Sequence, residues 1–294
     1  MRHSIKNNHL AIRVDEHGAE LCSLVRLSDQ RELLWQADPQ YWQGQSPILF
    51  PTVGSSYEQT IRHKGVAYPM PKHGLVKDRD FVLSNRTADS LTFSIESDDE
   101  MLRHYPFRFR LSITYRLTGS KLCIAFDVEN RNPESMPYLL GAHPAFALPD
   151  FSETDAIHAY LGFGETEDRL VSVGLKPGGF AWHEGSFAVE LDEEGLLPLT
   201  NTTFECDTIL DDTQRVRACA LYNKNKEAIV SVTFSSPVLA LWAPCGGRAP
   251  FVCIEPWWGL CDEDGYRGEF GQRPFINSVP PQETGRIEYT IEVC

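Results

Sequence analysis

No GxSxG elbow, GxxxxGK[ST] loop, GxGxxG turn or HExxH pair occurs in the 294 residues. The common serine-hydrolase, P-loop, Rossmann and zincin readings therefore lack their minimum parts. The eight cysteines form no CxxC pair and no regular spacing, which argues against a zinc ribbon or a disulfide framework. Most of them read as small buried hydrophobes in a reducing cytosol. No basic run interrupts a balance of 27 Lys+Arg against 41 Asp+Glu, net charge -14, so nucleic acid and anionic membranes are poor partners. No apolar run approaches the length of a bilayer span, and the opening MRHSIKNNHLAIRVDEHG has no apolar signal-peptide core. The expectation is a soluble, cytoplasmic protein.

A sustained 3.6-residue apolar period is missing too, and 21 Gly and 19 Pro punctuate the chain, so helices should be few and short. What is present is alternation of period two. In FRFRLSITYRL, Phe107, Phe109, Leu111, Ile113, Tyr115 and Leu117 share one face. KLCIAFDVEN continues the pattern with Leu122, Ile124, Phe126 and Val128 after a TGS turn, so residues 107–129 predict an antiparallel hairpin. Further alternation marks 91–95, 228–234 and 286–293 as strands. Many strands without linker composition or internal repeats point to an all-β class, a large antiparallel β-sandwich over 1–294 as one domain. Pro/Gly-rich stretches at 44–54, 176–186 and 244–285 read as long connections where sites sit.

With those signatures absent, histidine and carboxylate chemistry is left. Glu255 follows the strand-like FVCI and precedes Pro256, Trp257 and Trp258. A carboxylate leaving a strand end between aromatic walls has a raised pKa and suits a general base, and aromatic faces suit sugars. Pairing with Arg248 to anchor a loop is the competing role. His143, in GAHPAF, has Gly141 and Ala142 to admit a ligand and Pro144 to stiffen the chain. It suits proton donation, or equally a satisfied core position. His73, in KHGLVKDRD, reads as an exposed turn, and Asp207, in FECDTIL, as a hydrogen-bond acceptor or a turn cap. The remaining histidines (3, 9, 17, 63, 104, 158, 183) fall in polar or terminal contexts and read as surface residues.

HGAELCSL, LLWQADPQYW, SPILFPTVG, YPMPKHGL, YPFRFRLSITYRL, MPYLLGAHPAF and CIEPWWGLCD, in this order, resemble the aldose 1-epimerase (galactose mutarotase) family, most closely its LacX-like branch. The resemblance implies the galactose mutarotase-like supersandwich, with a sugar site on a concave sheet face. By motif it implies His143 as general acid and Glu255 as general base. His73 would bind and polarise the sugar, Asp207 would bind hydroxyls, and Lys77 and Trp257 would contact the substrate. The implied reaction interconverts the α and β anomers of an aldose by ring opening and reclosure, with no metal or organic cofactor, in a monomer or homodimer whose partner is a monosaccharide.

The chain departs from the family pattern at two places. HGLVK sets Lys77 where relatives of the HGFAR type carry arginine, and Ser55 stands where some relatives carry a sugar-reaching arginine. A hexose 6-phosphate substrate, met by Lys72, Lys77 and Arg79, is the rival within the same chemistry. A non-catalytic sugar-binding protein keeping Trp257 and Trp258 as a wall is the rival outside it.

Overall fold

The computed structural model describes residues 1–164 and 170–294, and its strands pair antiparallel into two large sheets and several small ones. A nine-stranded sheet runs from Leu196–Leu199 through Ala159–Gly162, Ala218–Tyr222, Ala228–Phe234, Thr284–Val293, Lys121–Asn130, Phe109–Thr118 and Ser90–Glu96 to Val82–Arg86. The expected hairpin lies at its middle: Phe109–Thr118 pairs with Lys121–Asn130 across a two-residue turn at Gly119 and Ser120. Its apolar alternate residues are buried and the intervening arginines are not, as burial of one face requires.

The second sheet is smaller and carries the site. Its order is Ile209–Asp211, Val238–Trp242, Phe251–Trp258, Leu140–Ala142 and Ile48–Leu49, with Ala145–Ala147 also paired to Phe251–Trp258. One apolar cluster joins both sheets, Phe126 and Ile291 from the first with Leu239, Ile254 and Trp258 from the second. The edges of Phe126 and Trp258 meet with ring centroids 6.5 Å apart. This is the all-β sandwich that the alternation predicts. Helical structure among the described residues is confined to three-residue 3-10 turns such as Tyr57–Gln59 and Val76–Asp78.

Three expectations change. Residues 176–186 are not a plain connection: Leu170–Lys176 and Phe180–Val189 form a hairpin around a Gly178-Gly179 turn. Glu255 is not at a strand end either. Phe251–Trp258 is one continuous strand with all eight residues buried, so both faces are covered and no alternation marks its bounds. His158 is fully buried, with Nε2 within 2.9 Å of Asn201 Oδ1, because it packs beside Phe151 beneath a loop and is not a surface residue.

Candidate active site

The strand Phe251–Trp258 pairs with two short pieces in a single register. Leu140 faces Trp258 and Gly141 faces Trp257; past the interruption, Ala145 faces Cys253 and Phe146 faces Val252. Continuing that register sets His143 directly across from Glu255. Pro144 has no N–H to give the ladder and opens the gap. The backbone holds on at both sides of it: the His143 N–H donates to Pro47 O (3.1 Å), and the Ile254 N–H donates to Pro144 O (3.1 Å). Residues directly opposite in an antiparallel pair project from the same face at close range. Accordingly His143 Nε2 lies 3.3 Å from Glu255 Oε1.

Neighbouring registers build the rest of the floor. Ala240 lies opposite Glu255 and Trp242 opposite Cys253 on the strand Val238–Trp242. Small residues therefore stand beside large ones along this face. Gly141 is one of them, and its reason differs from the expected one: a Cβ there would come within 2.9 Å of the Trp257 indole and 3.0 Å of Leu49. The glycine makes room for Trp257 and not for a ligand. Trp257 in turn donates from Nε1 to Glu255 Oε2 (3.1 Å). Trp258 points to the opposite face, into the core between the sheets, and contributes no wall.

Over this floor lies a cavity of about 760 Å³, lined among others by His73, His143, Asp207, Glu255, Trp257 and Lys72. It is large enough for a monosaccharide, and it combines apolar rings with a few convergent polar groups. Two walls were not legible as such in the sequence. Trp42 stacks on the His143 imidazole with centroids 5.0 Å apart, and Trp242 meets the same ring edge-on at 5.9 Å.

His73 is partly buried and faces the cavity, contrary to the exposed turn expected. Its backbone is left-handed (φ 67°), and the following Gly74 (φ +78°) has no space for a side chain, since a Cβ would fall 2.2 Å from Phe50 O. The Gly54 N–H donates to His73 Nδ1 (3.1 Å). With Nδ1 accepting, the neutral ring carries its proton on Nε2. Asp207 lines the rim in a left-handed turn and accepts from the Thr208 hydroxyl (3.2 Å). Lys77 also lines the rim, but its ammonium is paired with Asp78. Arg248 is exposed, and the partners of Glu255 are His143 and Trp257.

Burial dominates the electrostatics. It holds the Glu255 carboxyl well above the usual carboxylate range, opposed by the Trp257 hydrogen bond. It pushes the His143 imidazole down to about 3, and holds His73 well below its ordinary value, with the charge of His143 adding to the effect. Both shifts favour the uncharged carboxyl of Glu255 and the uncharged imidazole of His143.

The loop that presents Gly54 is anchored from behind. Ser55 donates to Gly178 O (2.6 Å) and so does not reach into the cavity as an arginine would. Asp262 Oδ2 accepts from the Tyr57 N–H (2.8 Å) and from Arg273 Nη2 (2.7 Å), and both charged side chains are buried. Arg79 pairs with Glu100 (2.8 Å) outside the cavity.

Comparison with known proteins agrees with this architecture. The sequence profile of the aldose 1-epimerase family matches residues 1–266. The chain is 32% identical over 297 aligned residues to a plasmid-borne protein LacX of Lactococcus lactis subsp. lactis, covering 98% of each. Among solved structures it is similar to a galactose mutarotase-like protein from Lactobacillus casei (27% identity, TM-score 0.93, 100% of both chains). A galactose mutarotase related enzyme from Lactobacillus acidophilus is also similar (26%, TM-score 0.92, 100% of this chain and 97% of that one). A C. elegans aldose epimerase homologue at 16% identity and TM-score 0.74 shares the fold. With this sheet, this cavity and this match along its length, the chain belongs to the aldose 1-epimerase family.

Proposed function

We propose that this chain is a mutarotase of free aldoses. The observation that carries the reading is the cross-strand contact of His143 with Glu255 on the floor of a monosaccharide-sized cavity. Mutarotation needs one group to take the O1 proton of the cyclic hemiacetal and another to supply a proton to the ring oxygen O5. The reaction runs from the carboxylate–imidazolium form of the pair, which hydrogen bonds from a bound sugar's hydroxyls to the carboxylate would favour. Glu255 then takes the O1 proton and His143 protonates O5 as the C1–O5 bond breaks. The open aldehyde rotates about C1–C2, and O5 attacks the other carbonyl face. In reclosure His143 takes the O5 proton back and Glu255 returns its proton to O1, so both groups end as they began.

His73 would donate from Nε2 to a sugar oxygen, Trp42 and Trp242 would cover the C–H face, and Asp207 and Lys72 would meet peripheral hydroxyls. A free sugar is favoured over a hexose 6-phosphate because the expected basic cluster is dispersed. Arg79 is held by Glu100 and Lys77 by Asp78, leaving Lys72 facing the cavity.

The test is polarimetry on freshly dissolved glucose, galactose and other aldoses. Accelerated anomer equilibration that is lost in Glu255→Gln and His143→Asn is the expected result. Unchanged kinetics across the panel, with saturable sugar binding intact in Glu255→Gln, would instead make the chain a binding protein.

A further inference from the structure

Cys253 has no part in the reaction above, yet it stands beside the groups that do. It lies two residues before Glu255 on one strand, so both side chains project from the same face. Its neighbours across the ladders are Ala145 and Trp242. A ring nitrogen of His143, Cys253 Sγ and a Glu255 carboxylate oxygen all lie within 4.8 Å of one another, and all three residues are buried.

We propose that His143, Cys253 and Glu255 form a binding site for a borderline-soft divalent cation of the Zn²⁺ type, whose occupancy blocks the acid–base pair. Three arguments converge. Two ligands bound at about 2.0–2.1 Å with a tetrahedral angle stand roughly 3.3 Å apart, and His143 Nε2 and Glu255 Oε1 are already at 3.3 Å. Cys253 Sγ, within 4.8 Å of both ligand atoms, would supply the third bond. The donor chemistry, one imidazole, one thiolate and one carboxylate, selects zinc-like ions over magnesium or calcium.

Charge is the third argument. A thiolate from Cys253 and a carboxylate from Glu255 give the dication two anions, so the buried complex would be neutral. A dication held by neutral ligands alone would bear an uncompensated desolvation cost. His143 and Glu255 line the cavity, from which water or a sugar hydroxyl would complete the coordination. Among the described residues no other residue bonds His143 Nδ1, so the site lacks the outer contact that fixes a permanently held ion. It suits a reversible inhibitor.

Binding of the ion stands apart from the mutarotase reading; only the inhibition rests on it. The exposed thiols Cys206 and Cys294 are first replaced by serine, and the metal-free protein is titrated with Co²⁺ alone. The expected result is one equivalent of a near-ultraviolet thiolate-to-cobalt charge-transfer band, lost in both Cys253→Ser and Cys253→Ala, whose thermal melting shows them folded. In the same background Zn²⁺ should slow mutarotation, with the half-inhibiting concentration raised at least tenfold by either Cys253 substitution. Absence of the band in the folded parent protein, its persistence in both variants, or equal zinc sensitivity with and without Cys253 would overturn the proposal. A band that depends on Cys253 in a protein that equilibrates no aldose supports the ion site and counts against the mutarotase reading.

Discussion

His143 and Glu255 are partners across one antiparallel register, interrupted only by Pro144, and their side chains touch at 3.3 Å. Because both would act on one sugar from a single contact, they should behave as one unit. Glu255→Gln and His143→Asn should each lower kcat/KM by roughly 10²–10⁴-fold, with the double variant little worse than either single one. Polarimetry on all three, against the same aldose, measures this non-additivity.

The stability of the same variant has its own sign. Burial raises the folded-state pKa of Glu255 above its unfolded value near 4.5, so the native state pays an increasing cost as pH rises through that interval. Glutamine keeps an acceptor for the Trp257 N–H without the ionisation. Glu255→Gln should therefore melt at an equal or higher temperature than the parent at pH 8, and its melting temperature should depend less on pH on the alkaline side.

Position 73 and its neighbour separate binding from folding. His73→Ala removes one hydrogen-bond donor to the sugar and should raise KM about 2- to 10-fold, since a net hydrogen bond contributes about 0.5–1.5 kcal/mol. Gly74→Ala forces a Cβ against Phe50 O in a left-handed backbone, and should lower the melting temperature instead. Thermal melting and initial rates on the two variants distinguish the effects.

The tryptophans should divide by face. Trp42→Ala and Trp242→Ala open the cavity and should weaken sugar binding, read by intrinsic fluorescence or calorimetric titration. Trp258→Ala, buried between the sheets, should cost about 3–5 kcal/mol of stability while leaving the affinity of the folded fraction in place.

His183, on the hairpin strand Phe180–Val189, bridges Asp212 Oδ2 (2.9 Å) and Glu263 Oε1 (3.0 Å). The Asp212 hydrogen bond, above all, raises its pKa over the ordinary 6.5. The stabilisation is fully present below that ordinary value and fades as pH climbs through the raised one. His183→Gln should flatten this part of the curve of melting temperature against pH, with the two curves converging at higher pH.

The sequence shows its structure where one face is buried and the other wet. The strand Ala228–Phe234 has that alternation and is readable to the residue, and the hairpin around Gly119, expected over 107–129, runs from Phe109 to Asn130. Phe251–Trp258 is covered on both faces, so its apolar run gave no hint that Glu255 sits within the strand. His143 and Glu255 stood out as polar residues in apolar surroundings. Trp42 and Trp242 did not, because a tryptophan wall and a tryptophan in a core have the same local pattern. Likewise His158 reads as a surface residue from its neighbours, and only packing against Phe151 reveals otherwise.

Glu255 sits within a strand and His143 in the two-residue break between two strands of the same sheet, whereas His73, Asp207, Lys72 and Lys77 hang from connecting segments. Under the proposed reading, chemistry rests on the sheet register and selectivity on the connections. Insertions and substitutions in the connections would then retune which sugar is admitted without moving the proton transfer, so an engineer seeking a new substrate should randomise the rim and leave the register alone.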